Sequence, residues 1–335
     1  MPDIRRVLLT GATGFVGKHL YSVLIESGFA VVSGSRDPER AKRKFRGRAF
    51  AKLDLNDYHT VLNAMQGCQA AVYLVHSMAE GPGYEESESR AAMTFARAAE
   101  QTGIQRIVYL GGIKPKGLTS RHLRSRLRTG ELLRQSRVST IELQAAMVIG
   151  PGSESWRIVR DLAARLPLMV LPRWLESRSQ PIYIDDVTAA IRRALTIELP
   201  QSAAFALPGP EILSAREILA RTARLMGLGP PMVQLPVITP RLSSYWISLV
   251  TRANHNISRQ LVEGLRTDLI ASDQGFWRFL PDHQRTSFDE AARRALFAEA
   301  QGLPLTARFA EWLLHRLTPA YVKQLDKPRA SSATL

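Results

Sequence analysis

The stretch Val7-Leu8-Leu9-Thr10-Gly11-Ala12-Thr13-Gly14-Phe15-Val16-Gly17 decides the fold. Three apolar residues enter a glycine-spaced turn, and the turn opens an amphipathic segment, 15–27, that stops at Gly28. A glycine just past the last helical turn is a common stop, because that position takes a left-handed conformation other side chains resist. Strand, glycine turn and helix in this order form the first half of a βαβ unit. In that setting Gly11 allows the tight turn, Gly14 lets a ligand approach the backbone, and Gly17 lets the helix pack close to the strand. Free N–H groups of the first helical turn face the same place and favour an anion. Thr10, Ala12, Thr13, Phe15 and Val16 complete a site for the pyrophosphate of a dinucleotide.

Outward from this turn, strand-like runs at 7–10, 30–33, 49–53, 70–75, 106–110 and 140–149 alternate with helix-length segments. Such alternation predicts an α/β protein, a doubly wound parallel sheet of Rossmann type covered by helices on both faces. A further helix begins at Asp185 and Asp186, and Ser214 with Glu217 has the spacing of a capping box. From about residue 240 the pattern is helical, at 243–250, 255–265, 287–299 and 306–317, and the end at 327–335 is small and polar. The domains expected are a dinucleotide-binding unit over 1–200, a smaller and mainly helical lobe over 201–318, and a polar tail over 319–335 that is expected to be disordered.

The 335 residues carry a formal charge of +15, which admits acidic ligands, a membrane surface or nucleic acid. No zinc-finger, helix-turn-helix or RNA-binding aromatic motif organises the basic residues, so nucleic acid is not expected. Cys68 is the only cysteine, which excludes an internal disulfide and a cysteine-based metal cluster. No unbroken apolar run reaches the length of a membrane span, and the N-terminus runs directly into a strand. The cytoplasm is the expected location. Peripheral contact with the inner face of the membrane, through helices bearing Tyr245, Trp246, Trp312 and Leu313, is the alternative.

The end of the second strand separates the two nicotinamide cofactors. An NAD enzyme places a carboxylate there for the ribose hydroxyls, whereas this chain reads Ser33-Gly34-Ser35-Arg36. Ser35 can donate a hydrogen bond to an extra phosphate and Arg36 can pair with it. NADP(H) is therefore favoured, and Asp37 keeps NAD(H) as the alternative.

With these residues in place the chain resembles the short-chain dehydrogenase/reductase superfamily, in its extended and atypical branch, and within it the NmrA-like NAD(P)H-binding proteins. The Thr10-to-Gly17 turn has that branch's TGxxGxxG spacing. The resemblance implies that Asp54 and Leu55 contact adenine, that Val75, His76 and Ser77 pass the cofactor ribose, and that the segment from Ala145 and Ala146 to Gly152 passes the nicotinamide. It extends more weakly to about residue 280 and carries a fold and a cofactor class without a substrate.

The superfamily's usual chemistry needs a Tyr and a Lys four residues apart on the helix after the fifth strand, so that a tyrosine exchanges a proton as hydride moves. None of the eight tyrosines here has a Lys four residues later. The corresponding helix offers His122 and Arg126 at that spacing. His122 is a candidate proton donor, because an imidazole titrates near neutral pH, and Arg126 a candidate holder of an anionic substrate or the ribose. His76, at the end of the fourth strand, is a second candidate acid, and Arg173 and Trp174 are candidate lining of an outer pocket. Two functions follow: an NADPH-dependent reductase of a quinone-like or conjugated small molecule, or a non-enzymatic NADPH-binding sensor or accessory subunit with a protein or membrane-complex partner.

Overall fold

The structure is a computed structural model that describes residues 4–76, 83–115, 117, 119–165, 169–172, 176–199, 201–235 and 267–302. The segments 243–250, 255–265, 306–317 and 327–335, with Ser77, Arg173, Trp174 and the four aromatic and apolar membrane candidates, lie outside them.

Strands β1 (Arg6–Leu9), β2 (Ala30–Ser35), β3 (Phe50–Lys52), β4 (Ala70–Tyr73), β5 (Arg106–Gly112), β6 (Ser139–Ala145) and β11 (Ala203–Ala206) form one sheet. Its order is β11-β6-β5-β4-β1-β2-β3, and every pairing is parallel. The order reverses between β1 and β4, and at such a switch point the loops leave in opposite directions and open a crevice above the strand ends. The sheet draws its last strand from beyond residue 200.

Successive strands are joined by α1 (Phe15–Glu26), α2 (Pro38–Lys44), α3 (Tyr58–Met65), α4 (Tyr84–Thr102) and α5 (Arg121–Arg134). The strands are buried on both faces because their side chains alternate between two cores. Val7, Leu9, Val72, Val108, Ile141 and Leu143 pack against α1 and α7 (Ile184–Thr196), whereas Leu8, Ala71, Tyr73, Ile107 and Tyr109 pack against α3 and α4. Gly28 and Gly103 stop α1 and α4 with φ of 85° and 74°, as their sequence positions predict.

The run at 140–149 is two strands rather than one. After β6 the chain turns at Ala146 and Met147 into β7 (Val148–Ile149), which pairs with β10 (Ile182–Tyr183) outside the main sheet. Two other short pairs, β8 (Met169–Pro172) with β13 (Met232–Leu235) and β9 (Arg178–Ser179) with β12 (Leu213–Ser214), were not legible as strands, since each is two to four residues long.

A third apolar cluster joins α6 (Glu154–Arg165), α8 (Ala215–Leu225) and α9 (Phe288–Gly302) through Trp156, Ile218, Leu219, Phe288 and Leu296. The capping box forms as read, with Ser214 and Glu217 satisfying each other's backbone at the start of α8. Asp186 does more than open a helix: its buried carboxylate accepts from His283 Nε2 at 2.9 Å and from the Thr286 N–H at 3.0 Å, which fastens the 267–302 segment to α7. Among the described residues no helix is long and apolar enough to cross a membrane.

Candidate cofactor crevice and active site

The glycine turn sits where the sheet order reverses. Gly11 has φ of 61°, and a Cβ there would lie 2.9 Å from the Leu74 carbonyl oxygen. A Cβ on Gly17 would fall 2.3 Å from the Gly11 carbonyl oxygen and 2.8 Å from Ala12 Cα, so only glycine allows α1 to seat against the turn. Thr10 is fully buried; its N–H donates to the Val72 carbonyl at 3.0 Å and its Oγ1 accepts from the Leu74 N–H at 2.9 Å, tying β1 to β4 at the switch. Gly14 caps α1 with no side chain bonded to the first-turn N–H groups. Unused helix N–H groups behind a narrow glycine cradle suit a pyrophosphate.

At the end of β2 the Ser35 hydroxyl donates to the Asp37 carbonyl at 3.0 Å, and the Asp37 carboxylate accepts from the Arg40 N–H at 3.0 Å. Asp37 is thereby occupied as the N-cap of α2. Lys52 Nζ donates to the Arg36 carbonyl at 2.7 Å and fixes the backbone from which the exposed Arg36 side chain extends. Asp54 accepts from the Asn56 N–H at 3.0 Å in a turn above β3, and Leu55 is buried beneath α3. Ala145 ends β6, and the chain beyond it returns to the turn: a Cβ on Gly150 would meet Phe15 Cζ at 3.0 Å and Ile184 Cγ2 at 2.7 Å. The residues expected at the cofactor thus lie at the carboxyl ends of β1, β2, β3, β4 and β6, with Ser77 outside the described residues.

A second group lies over β4 and β5, under the first half of α5. Ser120 caps α5 by accepting from the Leu123 N–H. Arg126, one turn into the helix, donates through Nη2 to the Leu110 and Gly111 carbonyls at 3.0 and 3.1 Å. Tyr109, buried on β5, donates to the Arg126 carbonyl at 2.9 Å and packs its ring edge-on to His76 at 6.0 Å. The His76 ring also lies beside the Leu110 carbonyl. His76 Nδ1, His122 Nδ1 and Arg126 Nε are buried without a partner.

Protonation departs from the sequence expectation. Burial first, and the Arg126 guanidinium second, bring the His122 pKa down to about 3. Burial, Arg126 and His122 hold His76 well below the ordinary imidazole value. Both rings are neutral at pH 7, so the expectation that His122 titrates near neutrality is corrected.

Below this pocket lies a group that the sequence reading missed. Glu142, central on β6, is fully buried; its carboxylate is 3.0 Å from Arg134 Nε and accepts from Gln144 Nε2 at 3.0 Å. Gly130 inside α5 and Gly111 on β5 make its room, since a Cβ on either would fall within 2.7 Å of the carboxylate oxygens. Burial raises the Glu142 pKa. An isolated glycine inside a helical pattern has a packing reason, and Gly130 was that signal.

With this geometry in hand, residues 11–146 match a family described as NAD(P)H-binding. Over that stretch the chain is similar to the NAD(P)H-binding domains of that family. The chain is 29% identical over 112 residues to the auxiliary protein GraX of Staphylococcus aureus, a match covering 32% of this chain and 36% of that protein. It therefore spans about a third of that relative. It is 24% identical over 237 residues to the ceramide reductase of Caulobacter vibrioides, covering 69% of this chain and 73% of that one. The crystal structure of the Citrobacter triphenylmethane reductase complexed with NADP(H) superimposes with a TM-score of 0.65 at 16% identity, over 87% of this chain and 99% of that one. The last likeness shows a shared fold.

Proposed function

We propose that the chain is an NADP(H)-dependent reductase of a conjugated or quinone-like small molecule that works without a Tyr–Lys pair. The observation that carries this reading is the pairing of a phosphate cradle with a group of buried polar side chains at the carboxyl ends of neighbouring central strands. Gly11, Gly14, Gly17 and the uncapped start of α1 hold the pyrophosphate. Arg36 is placed to pair with the extra phosphate of NADP, and the Ser35 hydroxyl would turn to it from the Asp37 carbonyl, while the Asp37 carboxylate is engaged in capping α2. Asp54 borders the adenine, and the segment beginning at Ala145 and Ala146 covers the nicotinamide. The bound cofactor supplies a hydride. Arg126 supplies a fixed positive charge, and His76 and His122 supply neutral hydrogen-bonding nitrogens.

The reductases among the relatives support this class of reaction, and the NADP(H) held by the Citrobacter enzyme supports the cofactor choice. Purified protein mixed with NADPH and a panel of quinones and enones is expected to consume NADPH with at least one acceptor. Retained NADPH with every acceptor would contradict the reading.

The absent Tyr–Lys pair and the neutral histidines favour a second reading, a dinucleotide-binding sensor or accessory subunit, to which the likeness to an auxiliary protein lends support. That reading expects binding without turnover and a stable protein partner retained in a pull-down.

A further inference from the structure

Three buried nitrogens without partners, His76 Nδ1, His122 Nδ1 and Arg126 Nε, belong to the pocket between β4, β5 and α5. Leaving such a group unbonded is unfavourable, and more so for a charged one. A ligand that bonds these three nitrogens would remove that cost. Arg126 is its fixed member: two strand-end carbonyls hold Nη2, and no carboxylate among the described residues forms an ion pair with it. The neighbouring acids are engaged elsewhere, Glu142 with Arg134 and Gln144, and Glu88 with Ser125.

Resting on the NADP(H)-dependent reading above, we propose that this pocket binds an anionic oxygen, and that the substrates are conjugated carbonyl acceptors whose reduction leaves an enolate or phenolate on Arg126 Nε and His122. Hydride addition at the β-carbon of such an acceptor breaks its C=C π bond. That electron pair forms the new C=C bond, the carbonyl pair moves onto oxygen, and the nicotinamide is the species oxidised. The oxygen then takes its proton from water. A charged donor preorganised in a buried site stabilises the oxygen as its charge develops. A simple ketone would instead give a strongly basic alkoxide that needs its proton in the same step, from an acid. Burial and Arg126 keep both imidazoles neutral, so the pocket has a charge to offer and no acid.

The probe is 4-nitrophenol, whose phenolate and phenol absorb at different wavelengths, added to the full chain with and without saturating NADPH. The expected result is that the bound probe ionises about one unit below its own pKa, a tenfold preference for the phenolate. Arg126→Met should weaken phenolate binding about tenfold, and His122→Gln should weaken it less. Arg128→Met, which removes an exposed charge of the same helix, should leave it unchanged. If Arg126→Met does not fold, the wild-type spectrum and His122→Gln decide.

A probe that binds as the neutral phenol or not at all, or whose binding ignores both pocket variants, overturns the proposal. NADPH titrated into the same wild-type sample separates the two readings. Saturable NADPH binding with no phenolate rejects the oxyanion pocket and spares the cofactor reading. Phenolate binding without NADPH binding does the reverse.

Discussion

The glycine turn after β1 and the pocket under α5 lie at the carboxyl ends of the central strands and are made of different materials. At the turn the backbone does the work: three glycines, a buried threonine and the free N–H groups of α1 shape a cradle whose side chains hardly matter. In the pocket the side chains do the work, and each is held by another. Arg126 is pinned to strand-end carbonyls, its own carbonyl is bonded by Tyr109, and α5 is let down onto the sheet by Gly130 over Glu142. A backbone site should fail all at once when crowded, whereas a side-chain site should fail in parts.

The sharpest way to break this contrast is Gly17→Val. The new Cβ must displace the Gly11 carbonyl, so NADPH affinity should fall at least about a hundredfold and stability by about 3 kcal/mol, read by cofactor titration and urea unfolding. Unchanged NADPH binding would mean that the turn is not the cradle.

Next in size is the support beneath the pocket. Gly130→Ala drives a methyl into the Glu142 carboxylate, and Arg134→Met leaves that buried group without its cation; each should cost about 2 kcal/mol, the second discounted because Arg134 is partly exposed. NADPH affinity should move far less in these variants than in Gly17→Val.

A smaller effect concerns pH. On folding the His122 pKa falls from 6.5 to about 3, so the unfolded chain binds the proton more readily and stability drains away as pH falls from about 6.5 toward 3. Glu142 acts in the opposite sense: its pKa is raised on folding, so its contribution is present below the ordinary value of 4.5 and is lost as pH rises past it. His122→Gln should therefore lose less stability than the wild type on acidification through that window, measured by urea unfolding at successive pH values. Equal losses would show that His122 is neither buried nor shifted.

The smallest effect is at Arg36, an exposed side chain. Arg36→Ala should weaken NADPH about five- to tenfold and leave NADH unchanged, since one charge-assisted hydrogen bond at the surface contributes about 1 kcal/mol. A parallel loss of both cofactors would place Arg36 away from the extra phosphate.

The same contrast explains what the sequence made legible. Glycine spacing and period-two burial are local signals, so Gly11, Gly14, Gly17, the strand runs and the stops at Gly28 and Gly103 were readable from one chain. The split of the run at 140–149 was not, because β7 is drawn off by β10 more than thirty residues later. Nor was the neutrality of His122, since its burial depends on how α5 settles over β5. His122 and Arg126 were visible as a pair four residues apart, but nothing local showed that Arg126 spends Nη2 on Leu110 and Gly111 and keeps Nε unbonded.

The most direct test of the central claim is a parallel titration of the purified chain with NADPH and NADH. The account predicts saturable binding of both, with NADPH at least about tenfold tighter, because a phosphate facing Ser35 and Arg36 adds about 1.4 kcal/mol or more. Equal affinities would remove the NADP preference, and no saturable binding of either would contradict the assignment of the glycine cradle itself.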